Sequence, residues 1–108
     1  MTDAVKERIA IGMLNEFPVD QASPATLPDG TALAIYNVEG TLYATSDFCT
    51  HGESSLSDEG TLMGHVIECA WHAGTFDVRT GKALTLPCQI PLQTYEIEVD
   101  GDQVYVSV

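Results

Sequence analysis

Cys49-Thr50-His51-Gly52 and Cys69-Ala70-Trp71-His72-Ala73-Gly74 are the two stretches that decide how this chain folds. Each offers one thiolate and one imidazole in the same order, and seventeen residues separate His51 from Cys69. A zinc finger usually pairs cysteine with cysteine and histidine with histidine along the chain. Here each short loop supplies one donor of each kind. That arrangement suits two metals side by side, one held by two cysteines and the other by two histidines. The candidate ligands are therefore Cys49, His51, Cys69 and His72. A mononuclear zinc site on the same four side chains stays open, because zinc accepts these donors too.

The two loops match the Rieske pattern, and the chain resembles the Rieske [2Fe-2S] ferredoxins, small electron carriers of bacterial aromatic-ring-hydroxylating dioxygenase systems. The resemblance runs from about Ala32 to the C-terminus. It takes in Leu42-Tyr43-Ala44 before the first loop and Phe76-Asp77-Val78-Arg79-Thr80-Gly81-Lys82 after the second, whereas the N-terminal part matches only loosely. It implies the Rieske fold, an all-β, antiparallel β-sandwich base with a small inserted cluster-binding subdomain at about residues 46–86. It implies one [2Fe-2S] cluster, with Cys49 and Cys69 on the buried iron and His51 and His72 on the outer iron. The partners it implies are a flavoprotein NAD(P)H-dependent ferredoxin reductase and a terminal Rieske non-haem iron oxygenase. On that reading the protein is an electron-carrier component rather than an enzyme, and it has no catalytic residues of its own. The rival within the same fold is the small subunit of an assimilatory NADH-dependent nitrite reductase, many of which lack the complete ligand set.

Replacing two thiolates by neutral imidazoles raises the potential of such a centre into a range of roughly −150 to +300 mV. High-potential Rieske proteins of respiratory complexes place a Ser two residues after the second His and a Tyr four after it. Their hydroxyls donate hydrogen bonds to the cluster sulfurs and ease reduction. Gly74 and Phe76 stand at those positions here. Ser54 and Trp71 stand where the respiratory type carries its disulfide-forming cysteines. The resemblance is thus to the low-potential ferredoxin type. Trp71 suits either shielding of the cluster from water or plain packing. Gly52 and Gly74 suit close approach of backbone N–H groups to sulfur, or ordinary turns.

At 108 residues the sequence reads as one domain, 1–108, with a modest core. No apolar run approaches the roughly 18 residues of a bilayer span. Met1 to Ala10 is polar and charged rather than a secretory leader. The expectation is a cytoplasmic protein with no membrane contact. Four basic residues against 16 acidic give a net charge of −12. Nucleic acid and anionic membranes both need a basic surface, so both are excluded as partners. An acidic carrier suits basic patches on redox partners, although the same charge also serves solubility. Three cysteines make no disulfide framework. Cys88 reads as a small packed residue and His65 as a surface or packing histidine. Neither a Ser-His-Asp or Cys-His nucleophilic arrangement nor a phosphate-binding glycine loop is evident.

Along the chain, Thr31 to Val38, Glu39-Gly40 and Leu42-Tyr43-Ala44 read as a hairpin. Asp58-Glu59-Gly60 reads as a turn, Val66-Ile67-Glu68 as a strand into the second loop, and Thr75 to Val78 as the strand out of it. Arg79 to Lys82 turns the chain back. Tyr95, Ile97 and Val99 alternate with Glu96 and Glu98, the period of a half-buried strand. Asp100-Gly101 then turns into a strand whose inner face is Val104, Val106 and Val108. Pro87 and Pro91 mark an irregular link, and Asn15 to Pro18 a short helical turn.

Overall fold

The computed structural model describes residues 8–48, 55–70, 74–85 and 90–107. Strands there run in the order β1 (Arg8–Met13), β2 (Ala22–Thr26), β3 (Ala32–Val38), β4 (Thr41–Ser46), β5 (Thr61–Met63), β6 (Val66–Glu68), β7 (Thr75–Asp77), β8 (Ala83–Thr85), β9 (Thr94–Asp100) and β10 (Gln103–Ser107). A short helix, α1 (Leu56–Glu59), lies between β4 and β5. The strands form two antiparallel sheets: a base ordered β1-β10-β9-β4-β3-β2, and a smaller sheet ordered β5-β6-β7-β8. No helix among the described residues is long and apolar enough to cross a membrane.

The apolar run at β3 is the hinge of the packing. Side chains alternate across a strand, and here both faces are covered. Leu33 and Ile35 join a core with Phe17, Leu42, Val104 and Val106 inside the base. Ala34, Tyr36 and Val38 join a second core with Leu56, Ile67, Cys69, Phe76, Val78 and Leu92, which ties the smaller sheet to the base. A strand buried on both faces has no polar alternation, which is why this one reads as a continuous apolar run. The buried Tyr36 hydroxyl bonds the Thr45 hydroxyl at 2.9 Å on β4. Burial pushes its phenol well above the ordinary value, so it remains a neutral hydrogen-bonding group.

Several elements differ from the sequence expectations. Asp58 and Glu59, expected as a turn, belong to a full helical turn that ends at Gly60, because Ser55 Oγ accepts the Asp58 N–H at 3.3 Å and caps it. The expected helical turn at Asn15 to Pro18 is a 3-10 turn over Leu14–Glu16. Val99 is 43% exposed rather than on an inner face. Strand β4 pairs β9 only at Ala44 with Tyr95 and Thr45 with Thr94, so the far half of β9 is left as an open edge. Val108, Cys88 and Pro87 lie outside the described residues. The hairpin of β3 and β4 begins at Ala32, and β9 turns into β10 at Gly101. Gly81, at φ +79°, closes the β7–β8 turn and accepts the Leu92 N–H at 2.8 Å.

Candidate metal centre

The second ligand loop grows out of a hairpin. Strands β6 and β7 pair Glu68 with Thr75, and one step outward the Cys69 N–H donates to the Gly74 carbonyl at 2.7 Å. This bond closes the base of the loop and fixes Cys69 and Gly74 opposite each other. Cys69 is 0% exposed, packed with Ile67, Phe76 and Val78. A thiolate in such a place has no water to solvate it, which suits a sulfur whose charge a metal neutralises. Phe76 is fully buried in the same core as Cys69 and brings no hydroxyl to it. Trp71 and His72, between these two points, lie outside the described residues.

The first ligand loop is described at its flanks. Asp47 directly follows β4 and Phe48 forms an antiparallel bridge with Ser55, so the ends of the segment 49–54 are held side by side. Asp47 does most of the holding. Its carbonyl accepts the Leu56 N–H at 2.7 Å, and its own N–H donates to Ala32 at 3.1 Å. Its carboxylate accepts the Ser55 hydroxyl at 2.6 Å and the Ser57 N–H at 2.8 Å. Leu56, next to these bonds, sits in the core that holds Cys69, so the flanks of the two loops pack together. Of the four candidate ligands the structure thus places Cys69; Cys49, His51 and His72 lie outside the described residues, as does Gly52.

Sequence reasoning read Asp47 only as one more acidic side chain. The signal that could have found this network is Ser55-Leu56-Ser57-Asp58, a capping pattern that starts a helix right after the ligand segment. His65 contacts the Tyr43 ring edge-on at 5.7 Å, which fits the packing role. Arg79 grips Asp77 through two bonds, of 3.1 and 3.0 Å, and these hold the Asp77 carboxyl below its ordinary value. Arg8 bonds Glu98 at 2.7 Å and lies 4.0 Å from the Tyr105 ring centre. Among the described residues Arg8 and Arg79 are thus engaged by carboxylates, and the net charge of −12 makes the surface field negative. A groove of about 750 Å³, lined by Tyr43, Arg79, Thr94 and Tyr95 among others, includes none of the residues that flank either ligand loop.

Residues 8–96 match the Rieske [2Fe-2S] domain. The ferredoxin component of the p-cumate 2,3-dioxygenase system of Pseudomonas putida is 52% identical over 82 residues, which is 76% of this chain and 70% of that protein. A stretch of 82 residues in a chain of 108 cannot leave out either ligand loop. Among solved structures, a complex of reduced oxygenase and oxidised ferredoxin in carbazole 1,9a-dioxygenase superposes with a TM-score of 0.85 at 39% identity, covering 93% of this chain and 92% of that one. A small subunit of NADH-dependent nitrite reductase from Mycobacterium tuberculosis superposes with a TM-score of 0.84 at 13% identity, covering 97% of each chain, a likeness of fold alone.

Proposed function

The chain belongs to the Rieske [2Fe-2S] domain family, and from that premise we propose that it is the ferredoxin component of a bacterial aromatic-ring-hydroxylating dioxygenase system. It takes single electrons from an NAD(P)H-dependent flavoprotein reductase and delivers them to a terminal oxygenase. The observation that carries this reading is the 52% identity to a ferredoxin component across both ligand loops. The nitrite reductase reading rests on fold likeness at 13% identity and is the weaker one.

Four side chains hold the cluster in this proposal: Cys49 and Cys69 on one iron, His51 and His72 on the other. They belong to a part of the chain at about residues 46–86 within a single domain, 1–108. Bound there, a [2Fe-2S] cluster supplies one-electron uptake and release. The rest is the work of the chain's own residues. Burial of Cys69 withdraws its sulfur from water. Gly74 and Phe76 offer the sulfurs no hydroxyl, which keeps the potential near the low end of the roughly −150 to +300 mV range. The charge of −12 favours basic partner surfaces and opposes nucleic acid and anionic membranes. The place of work is the cytoplasm, where NAD(P)H is available to the reductase.

Metal and sulfide analysis of the purified protein tests the reading. It should hold about two irons and two sulfides. Reduction should bleach its red-brown colour and give the low average g value of a mixed-ligand cluster in electron paramagnetic resonance. Zinc as the only stoichiometric metal would end the proposal.

A further inference from the structure

The first ligand segment has an anchor that is neither a ligand nor part of the cores. Asp47 is 6% exposed, and every oxygen it carries is committed to the far flank of the segment. One carboxylate oxygen takes the Ser55 hydroxyl, the other the Ser57 N–H, and the carbonyl the Leu56 N–H. Meanwhile its own N–H is tied to Ala32 on β3. Burying a carboxylate is costly unless its lone pairs are satisfied, and hydrogen bonds to a charged acceptor are the strong ones. An apolar residue would close this junction without that cost if only packing mattered.

We propose that Asp47 is a positioning residue for the Cys49/His51 loop, which rests on the cluster reading above. Its carboxylate clamps Ser55 and Ser57 back onto the end of β4 and so fixes the end-to-end span of residues 49–54. That span sets where one thiolate and one imidazole are presented to the donors of the second hairpin. Outer partners of this kind commonly matter about as much as an order of magnitude or two in metal affinity. Asn at the same position retains an acceptor for the Ser57 N–H and can donate to the Ser55 oxygen, so it preserves the clamp while removing the charge.

The experiment compares wild-type holoprotein with Asp47→Ala, Asp47→Asn and Ser55→Ala. Electron paramagnetic resonance is recorded on the reduced proteins, and the rate of metal release to a chelator is followed alongside the unfolding temperature. Asp47→Ala should broaden the g features and release metal about 10-fold to 100-fold faster. Ser55→Ala should move both readouts the same way by less, with no change in charge. Asp47→Asn should stay close to wild type. Asp47→Ala and Ser55→Ala that unfold more easily but keep wild-type g values and release rates would overturn the proposal, because the residue would then be structural only. Asp47→Asn as defective as Asp47→Ala would overturn it as well, because charge rather than the clamp would be at work. If Asp47→Ala fails to fold, Ser55→Ala against Asp47→Asn decides by the same criteria. Wild-type protein without iron would sink the cluster reading instead, and the release rates of whatever metal is bound would still judge the clamp.

Discussion

Replacing Gly81 by alanine should be far more damaging than the loss of one hydrogen atom suggests. The residue sits at φ +79°, where an L side chain costs about 1–2 kcal/mol. A Cβ there would also collide with the Leu92 carbonyl oxygen and meet Thr94 Cγ2 at 3.0 Å. Leu92 is only 4% exposed and donates its N–H to the Gly81 carbonyl at 2.8 Å, so it cannot retreat without loosening the core and that bond. The bond is worth about 1 kcal/mol. Together the losses come to about 2–3 kcal/mol. Gly64 provides the control. It has φ +60° but nothing within 4 Å of an added Cβ, so Gly64→Ala should cost only the backbone strain, about 1–2 kcal/mol. For a domain of this size each kcal/mol moves the midpoint by roughly 4–8 °C. Gly81→Ala should therefore melt roughly 10–25 °C below wild type and clearly below Gly64→Ala. Thermal unfolding followed by far-ultraviolet circular dichroism, on preparations of equal metal content, reads the difference. Equal losses in the two variants would refute the argument that the Gly81 contact with Leu92 locks the small sheet to the chain returning into β9.

Other predictions concern the centre and the Asp77–Arg79 charge pair at the β7–β8 turn. Phe76→Tyr and Gly74→Ser each bring a possible hydroxyl donor toward a sulfur, and a bond about 1–2 kcal/mol stronger in the reduced state raises a one-electron potential by roughly 40–90 mV. Voltammetry should show that rise from a low wild-type value; a wild-type potential on the order of +200 mV would undo the reasoning. His51→Cys or His72→Cys, where a cluster still assembles, should lower the potential, since an anion replaces a neutral ligand, and an unchanged or raised value would contradict the ligand assignment. Asp77 titrates below its ordinary value of 3.8 because Arg79 bonds its ionised form, so its stabilisation is present above 3.8 and fades as pH falls through the lower folded-state value. Exposure of Arg79 to water keeps that contribution small. Urea titrations of Asp77→Asn should show a small deficit at neutral pH that closes in strong acid, and a deficit constant with pH would rule the pair out as its source.

What could be read from the sequence was what depends on neighbours in the chain. Glu39-Gly40 marked the hairpin of β3 and β4, and the valines of β10 alternated as an inner face should. The four ligand candidates stood out because a mixed Cys-His pair is a rare local pattern with specific chemistry, and of the four the structure describes Cys69. The pairing of β1 with β10 was not, since its hydrogen bonds join residues nearly a hundred positions apart. Strand β2 was hidden by Pro24, which an edge strand tolerates and a central one would not. Val99 obeyed the period of two and still came out exposed, because periodicity says which face a residue takes and not whether a neighbouring strand extends far enough to cover it. Asp47 looked like surface charge because its partners, Ser55 and Ser57, are ordinary in composition and meaningful only once the chain has turned back on itself.

The closure of the base by its first and last described strands has a consequence for timing. Arg8 faces Ser107 across the β1–β10 ladder, so β1 has no partner until almost all of the described chain has been synthesised. Cys49 and Cys69 emerge well before that moment, and folds dominated by such distant pairings settle in milliseconds to seconds. For that interval the thiols face solvent without the walls that later enclose Cys69, open to oxidants and to whichever metal arrives first. The bonds of Asp47 to Ser55, Leu56 and Ser57 span only residues 47–57 and can form within the emerging segment, ahead of the base. Iron and sulfide thus have a short period of open access to the thiols, followed by a longer one in which Cys69 is enclosed by the finished core.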